Sequence, residues 1–272
     1  MKIVNLKFKI FNFKYIQIQD RRGVSNKVEF MDELRERLVI VPAFNEEDNI
    51  GQVVDDILRS GLGFDVVVID DGSHDRTSEI ARAHGARVIT LPFNLGIGGA
   101  VQTGLKFAHR YGYDVAIQID GDGQHVPSEI PRLLAPLQRR AADVAIGSRY
   151  LGQHRYRTPI MRRLGMLVFT VVNSLLIGQR ITDNTSGFRA FNRRAIAFLS
   201  AHYPSDYPEP EAVVMLGRNG FRLQEMAVEM RQRAAGESSI NSLRAVYYMI
   251  KVLLAITIDV FKTYPKVSVT TK

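Results

Sequence analysis

The chain has 272 residues, 46% of them hydrophobic and 24% charged, which suits one large domain or two small ones and excludes collagen, fibre and wholesale disorder. It has no cysteine, which excludes a disulfide scaffold, a thiolate-ligated zinc or iron–sulfur site and a cysteine nucleophile, and fits a reducing cytosol. Lysine and arginine number 36 against 28 acids, a net charge of +8.

Residues 1–37 are basic, aromatic and partly alternating, and Lys7, Lys9 and Lys14 break up any signal-peptide core. They read as an extension of unassigned role. From Leu38 the pattern becomes regular. Leu38-Val39-Ile40-Val41, stopped by Pro42, is a buried strand, and residues 46–58 carry a helical apolar stripe ended by Gly61 and Gly63. Val66-Val67-Val68-Ile69 is a second strand that runs into Asp70-Asp71-Gly72-Ser73, and Asp75 is a candidate N-cap for a helix to about His84. Residues 87–91 form a third strand, and a helix opens in the glycine-rich stretch 94–100 and runs to about Tyr111. A fourth strand at 115–119 leads into Asp120-Gly121-Asp122-Gly123-Gln124-His125, Pro127 starts a further helix, and 143–146 is a fifth strand.

Strands alternating with helices predict a mostly parallel sheet covered on both faces, with ligands at the carboxyl ends of the strands. Four polar or glycine-rich loops follow strands here and so converge on one rim. After about residue 150 the rhythm breaks. An apolar helix is expected at 164–177, a turn-rich stretch at 182–189, a proline-containing loop at 203–210, a helix starting within 212–216, a strand at 221–228 and a helix with a broad apolar face at 243–261. No stretch reaches the roughly 18–20 uninterrupted apolar residues of a spanning helix.

The chemistry concentrates on the rim. Asp120 and Asp122, two apart where the chain leaves a strand, can share a hard divalent cation such as Mg²⁺ or Mn²⁺, with Gln124 and His125 completing or supporting the site. Taken alone, an Asp-x-Asp pair is common. Asp70 and Asp71 exceed what a turn and cap require, and one of them can accept from a base N–H or a ribose hydroxyl. Gly96, Gly98 and Gly99 at a helix start suit phosphate, though tight helix–sheet packing accounts for them equally well.

Val41-Pro42-Ala43-Phe44-Asn45-Glu46, Asp70-Asp71-Gly72-Ser73-His74-Asp75-Arg76-Thr77, Asn94-Leu95-Gly96-Ile97-Gly98-Gly99-Ala100 and Asp120-Gly121-Asp122, in that order, resemble the signature of family 2 glycosyltransferases. Ile146-Gly147-Ser148-Arg149-Tyr150 and Thr185-Ser186-Gly187-Phe188-Arg189 are similar to later motifs of its polyprenyl-phosphate branch, which includes dolichol-phosphate mannose synthase. The resemblance implies a GT-A fold over residues 38–240, a nucleotide-diphospho-sugar donor and inverting transfer to a polyprenyl phosphate. It implies that Pro42, Ala43, Asn45, Glu46, Asp71, Gly72, Asn94, Gly98 and Asp120 bind the nucleotide sugar. Asp120, Asp122 and Gln124 would hold Mg²⁺ or Mn²⁺. Arg149, Arg162, Arg163, Ser186, Arg231 and Arg233 would meet the acceptor phosphate, with Asp122, Arg149, Arg163 and Asp183 in the catalytic set.

Charge agrees with that assignment. Residues 39–148 carry 9 basic and 15 acidic side chains, whereas 149–272 carry 18 basic and 8 acidic. The basic last third suits a polyanionic acceptor, and a solvated basic face is the plainer alternative. A phosphate acceptor, with second pKa about 6, is ionised at neutral pH and needs no strong base. A saccharide hydroxyl would need one, for which Asp183 or a glutamate at 209–211 is a candidate. Arg149 is expected at the rim as a phosphate ligand, giving a stable but transfer-dead alanine variant; the alternative is a structural ion pair, for instance with Asp143. The tail 241–272 is expected to pack on the core or to lie at a membrane surface, on the inner, cytoplasmic face. The resemblance also allows for a small membrane partner subunit. A non-catalytic nucleotide-sugar sensor is the reading from another class, and nucleic acid is not an expected partner because no aromatics interleave the arginines.

Overall fold

A computed structural model describes residues 37–151, 170–205 and 207–231, together with positions 251, 252, 254, 255, 257 and 262. In chain order the elements are β1 (Arg37–Ala43), α1 (Ile50–Arg59), β2 (Asp65–Asp70), α2 (Thr77–Ala83), β3 (Arg87–Thr90), α3 (Gly96–Arg110), β4 (Val115–Gln118), α4 (Ile130–Gln138), β5 (Val144–Ser148), β6 (Arg189–Asn192), α5 (Arg193–His202), α6 (Pro208–Arg218) and β7 (Leu223–Ala227). Residues 170–177 are also helical, the described end of the helix expected at 164–177. The extension before Arg37 and almost all of the tail after 240 lie outside the described residues. No described helix is long and apolar enough to cross a membrane.

The strands form one seven-stranded sheet in the order β3-β2-β1-β4-β6-β5-β7. β6 runs antiparallel to both β4 and β5, while the other neighbours are parallel. This is the expected mostly parallel α/β sheet, with helices on both faces. Leu38, Ile40, Val67 and Ile69 point to the side of Leu105, Phe107 and Leu199, while Val39, Val41, Val66 and Val68 face Ile50, Val54, Ile57 and Leu133. A sheet buried on both sides needs apolar residues at every position, hence runs rather than alternation.

Several boundaries differ from expectation for local reasons. The first helix starts at Ile50 rather than Glu46, because the chain turns at Asn45, a non-glycine residue at φ 54. The stretch 203–210 is only partly loop: α6 begins at Pro208, and Pro208 and Pro210 occupy its first turn, where no amide is required. Glu209 and Glu211 in the same turn complement the helix dipole. β6 and α5 were not expected. Asn192 ends one and caps the other, accepting from the Ala195 N–H at 2.9 Å.

Candidate active site

The loops leaving β1 and β2 are zipped together. The Asn45 N–H donates to Ser73 Oγ at 2.9 Å, the His74 N–H to Asn45 Oδ1 at 2.9 Å, and the Glu46 N–H to Thr77 Oγ1 at 2.9 Å. Asp75 accepts from the Glu47 N–H at 3.1 Å and the Thr77 N–H at 3.0 Å, so it ties down the first loop and holds the first amide of α2, one residue ahead of the N-cap position, which is Arg76. The side chains of Asn45 and Glu46 therefore shape this corner of the rim, Glu46 also accepting from Asn49 Nδ2 at 2.8 Å.

The third loop hangs on Asp71. Its two oxygens accept from the Leu95 N–H at 2.7 Å and the Gly96 N–H at 2.8 Å, which answers what a second aspartate does beside Asp70. Gly72, at φ 74, lets Asn94 come close: a Cβ there would stand 2.8 Å from the Phe93 carbonyl carbon. Asn94 and its amide face this junction, and Gly98 lies against the Pro204 carbonyl. The glycines at 98 and 99 thus allow close packing at the start of α3, Gly98 against the 204–205 segment and Gly99 against the Leu95 side chain, rather than against the sheet.

Burial raises the Asp71 carboxyl from 3.8 to about 6, against the two amides that lower it. A carboxyl raised on folding contributes stability that is complete below its unfolded pKa and lost as pH rises through its folded one. Asp71→Asn should therefore flatten the fall in melting temperature between about pH 4 and about pH 6, measured as a pH series against the parent.

Asp120 leaves β4 at the centre of the rim. Its N–H donates to His125 Nδ1 at 3.1 Å, and the imidazole stacks on Phe188 at 5.0 Å between centroids. Asp122 accepts from the Gln124 N–H at 3.1 Å and from Gln124 Nε2 at 2.5 Å. The loop is anchored from outside by the Arg231 N–H, which donates to Gln124 O at 2.8 Å. Two carboxylates and an amide oxygen are hard donors. Among the described residues no third acid, imidazole or thiolate gathers into a metal cage. That set fits Mg²⁺ or Mn²⁺ taking the rest of its shell from water and a diphosphate, and does not fit a fully protein-ligated ion.

Gly187, which the sequence singles out only as a motif member, positions Asp120: a Cβ at 187 would lie 2.5 Å and 2.7 Å from the two carboxylate oxygens. Gly187→Ala should displace that carboxylate and lower turnover about 100-fold with little change in melting temperature. Beneath it lies a polar layer that pattern reading missed. Arg189, fully buried, donates to the carbonyls of Ser186 (2.8 Å), Asn184 (3.1 Å) and Glu209 (3.1 Å), tying β6 to the start of α6. Arg189 Nη1, Gln118 Oε1 and Tyr203 Oη are buried without a hydrogen-bond partner among the described residues. Glu209 is half-buried; burial pushes its carboxyl up, with the Arg189 charge opposing.

Arg149 is held in an ion pair. Its Nε and Nη2 grip both oxygens of Asp183 at 2.8 Å and 2.7 Å, and Nη2 also reaches Thr185 Oγ1 at 2.9 Å. The Asp183 side chain is wholly inaccessible. Asp183 is therefore committed to an ion pair and is not placed as a general base, and the structural acid is not Asp143, which pairs with Arg194 and Arg222 at the other end of the sheet. Ser186 is buried, its hydroxyl accepting from the Phe188 N–H at 3.3 Å. Arg231 pairs with Asp56 at 2.8 Å, so its guanidinium is turned along α1. Arg162, Arg163 and Arg233 lie outside the described residues.

The sequence profile described as Glycosyl transferase family 2 matches residues 38–199, more than half of the chain. The chain belongs to that family. Within this glycosyltransferase family, it is similar to the polyprenol monophosphomannose synthase of Mycolicibacterium smegmatis, 32% identical over 225 residues that cover 79% of this chain and 84% of the relative. It is also similar to the UDP-N-acetylglucosamine–dolichyl-phosphate N-acetylglucosaminyltransferase of Methanococcus voltae, 30% identical over 70% of this chain and 84% of the relative. These are relatives of the polyprenyl-phosphate branch that the motifs indicate. Among solved structures, glucosyl-3-phosphoglycerate synthase from Mycobacterium tuberculosis, in complex with Mn²⁺, UDP and phosphoglyceric acid, superposes with a TM-score of 0.65 at 22% identity, over 82% of this chain and 78% of the other. That likeness supports the GT-A-like fold of this glycosyltransferase.

Proposed function

We propose that this glycosyltransferase moves a hexose, with inversion, from a nucleotide-diphospho-sugar to a polyprenyl phosphate while lying peripherally on the cytoplasmic face of a membrane. The observation that carries the reading is the Asp120–Asp122–Gln124 loop at the end of β4, flanked by the zipped nucleoside-side loops and by the Arg149–Asp183 wall. The names of the two relatives supply the acceptor class. Asp120, Asp122 and Gln124 would hold Mg²⁺ or Mn²⁺, which when bound offsets the charge that develops on the leaving nucleoside diphosphate. The zipped loops around Asn45, Asp71 and Gly72 orient the nucleoside. An ionised phosphate attacks without a strong base, which agrees with an Asp183 already committed to Arg149. Residues 38–240 form the catalytic domain, and the tail 241–272 packs on the core, where Val252 is buried beside Val214, or lies at the membrane surface.

Candidate nucleotide sugars, radiolabelled in the hexose, are incubated with Mn²⁺ and either a polyprenyl phosphate or a soluble saccharide. Label in the organic phase with the lipid phosphate is the expected result. Label that stays aqueous, with a saccharide product, overturns the acceptor and turns attention to Glu209, a half-buried carboxyl with a raised pKa, as the base a hydroxyl acceptor requires.

A further inference from the structure

At the amino edge of the sheet, opposite the catalytic rim, a cleft of about 570 Å³ opens between the starts of β1, β4 and β5 and the ends of β6 and α4. Its floor is apolar, made by Val115, Leu134, Leu137 and Ala142. Around the floor stand Arg37, Arg140, Arg193, Arg194 and Arg222, and Asp114 is the one acid in the lining.

Three of the guanidiniums are oriented. Arg193 donates to the Gly112 carbonyl at 2.7 Å and pairs with Asp114 at 3.2 Å. Arg194 reaches Asp143 and the Gly220 carbonyl, each at 3.2 Å, and lies over the Phe221 ring at 4.0 Å. Arg222 Nε is 3.8 Å from the same Asp143, which is buried and also accepts from Asn192 Nδ2 at 2.9 Å. Two carboxylates thus set the directions of cations that outnumber them.

Two features run against local preference and add charge to this cleft. Arg140 follows α4 at φ 55, in the left-handed region that glycine favours. Arg193 and Arg194 open α5, the end of a helix at which the dipole disfavours cations. Where a sequence breaks local rules and the breaks converge on one cavity, a ligand is the physical reason to look for.

We propose that this cleft is a second binding site, for a phosphate-bearing anion, distinct from the donor site on the opposite edge. Guanidinium forks match phosphate oxygens in pairs, the apolar floor accepts the uncharged part of the ligand, and the volume falls within the roughly 300–1,000 Å³ of small-molecule sites. A soluble phosphorylated metabolite and a phospholipid headgroup share this chemistry. The inference does not depend on the transfer reaction.

The test uses the full chain in EDTA, so that no divalent ion bridges pyrophosphate to Asp120 and Asp122, and titrates inorganic pyrophosphate by calorimetry. Saturable binding is expected, weakened about tenfold or more by the double variant Arg140→Gly/Arg222→Gln and unchanged by Asp122→Ala. Glycine suits the backbone at 140, and a melting temperature near the parent's certifies the fold. Flotation with vesicles of phosphatidylglycerol in phosphatidylcholine separates the sources. Arginine-dependent pyrophosphate binding with unaltered flotation assigns a soluble ligand; flotation lost in the double variant and displaced by pyrophosphate assigns a headgroup. Binding that the double variant leaves intact, or no binding of either probe, overturns the site.

Discussion

Asp122→Ala should lower transfer by at least about 10³-fold while moving the melting temperature little. The side chain is half-buried on a loop and accepts from Gln124 of the same loop, so truncation leaves no core cavity, and the loss of those hydrogen bonds costs about 1 kcal/mol. The reaction loses far more, because a leaving nucleoside diphosphate carries developing charge that only a cation held at this point can offset. Asp122→Asn separates the two contributions. It keeps an oxygen for the Gln124 N–H and discards the negative charge, so it should be nearly as inactive as alanine. EDTA should abolish activity in the parent, and Mg²⁺ or Mn²⁺ should restore it. Full activity in chelator would refute the metal role of both aspartates.

The half of the fold up to β5 is legible because its stabilising pattern is local. A strand buried on both faces must be continuously apolar, and 38–41 and 66–69 are; the first continues through buried Pro42 and Ala43 and the second into the buried pair Asp70 and Asp71. The rim follows from that alternation, since parallel strands present all their carboxyl ends on one edge. The second half is held by contacts between distant positions that no periodicity encodes. β6 is four residues with a buried arginine, and it exists because Arg189 finds two carbonyls from the loop before it and one from the first turn of α6. Gly187 matters only once Asp120, 67 positions earlier, has been brought against it. Arg149 shows the same limit most clearly. Its place after a strand is legible, but its direction is set by Asp183, 34 positions away.

That direction decides what Arg149→Ala will do. The Asp183 carboxylate is wholly inaccessible and held at both oxygens by one guanidinium, so truncating Arg149 leaves an uncompensated buried charge. Such a loss costs about 3–5 kcal/mol, or roughly 10 °C in melting temperature for a chain of this size. Arg149→Lys should recover only part, because an ammonium cannot bridge both oxygens and Thr185 together. Replacing both partners, Arg149→Met with Asp183→Leu, should cost less than the alanine variant alone, as expected when the penalty is the orphaned charge. The pair also bears on catalysis. Glu225 accepts from the Thr182 and Asp183 N–H groups at 2.8 Å and 2.6 Å, which fixes the start of the loop that carries Ser186 and Gly187 under Asp120. Loosening the Arg149–Asp183 wall should therefore lower metal-dependent donor binding along with stability. An alanine variant that melts with the parent, binds nucleotide normally and fails only in transfer would instead return Arg149 to the acceptor phosphate.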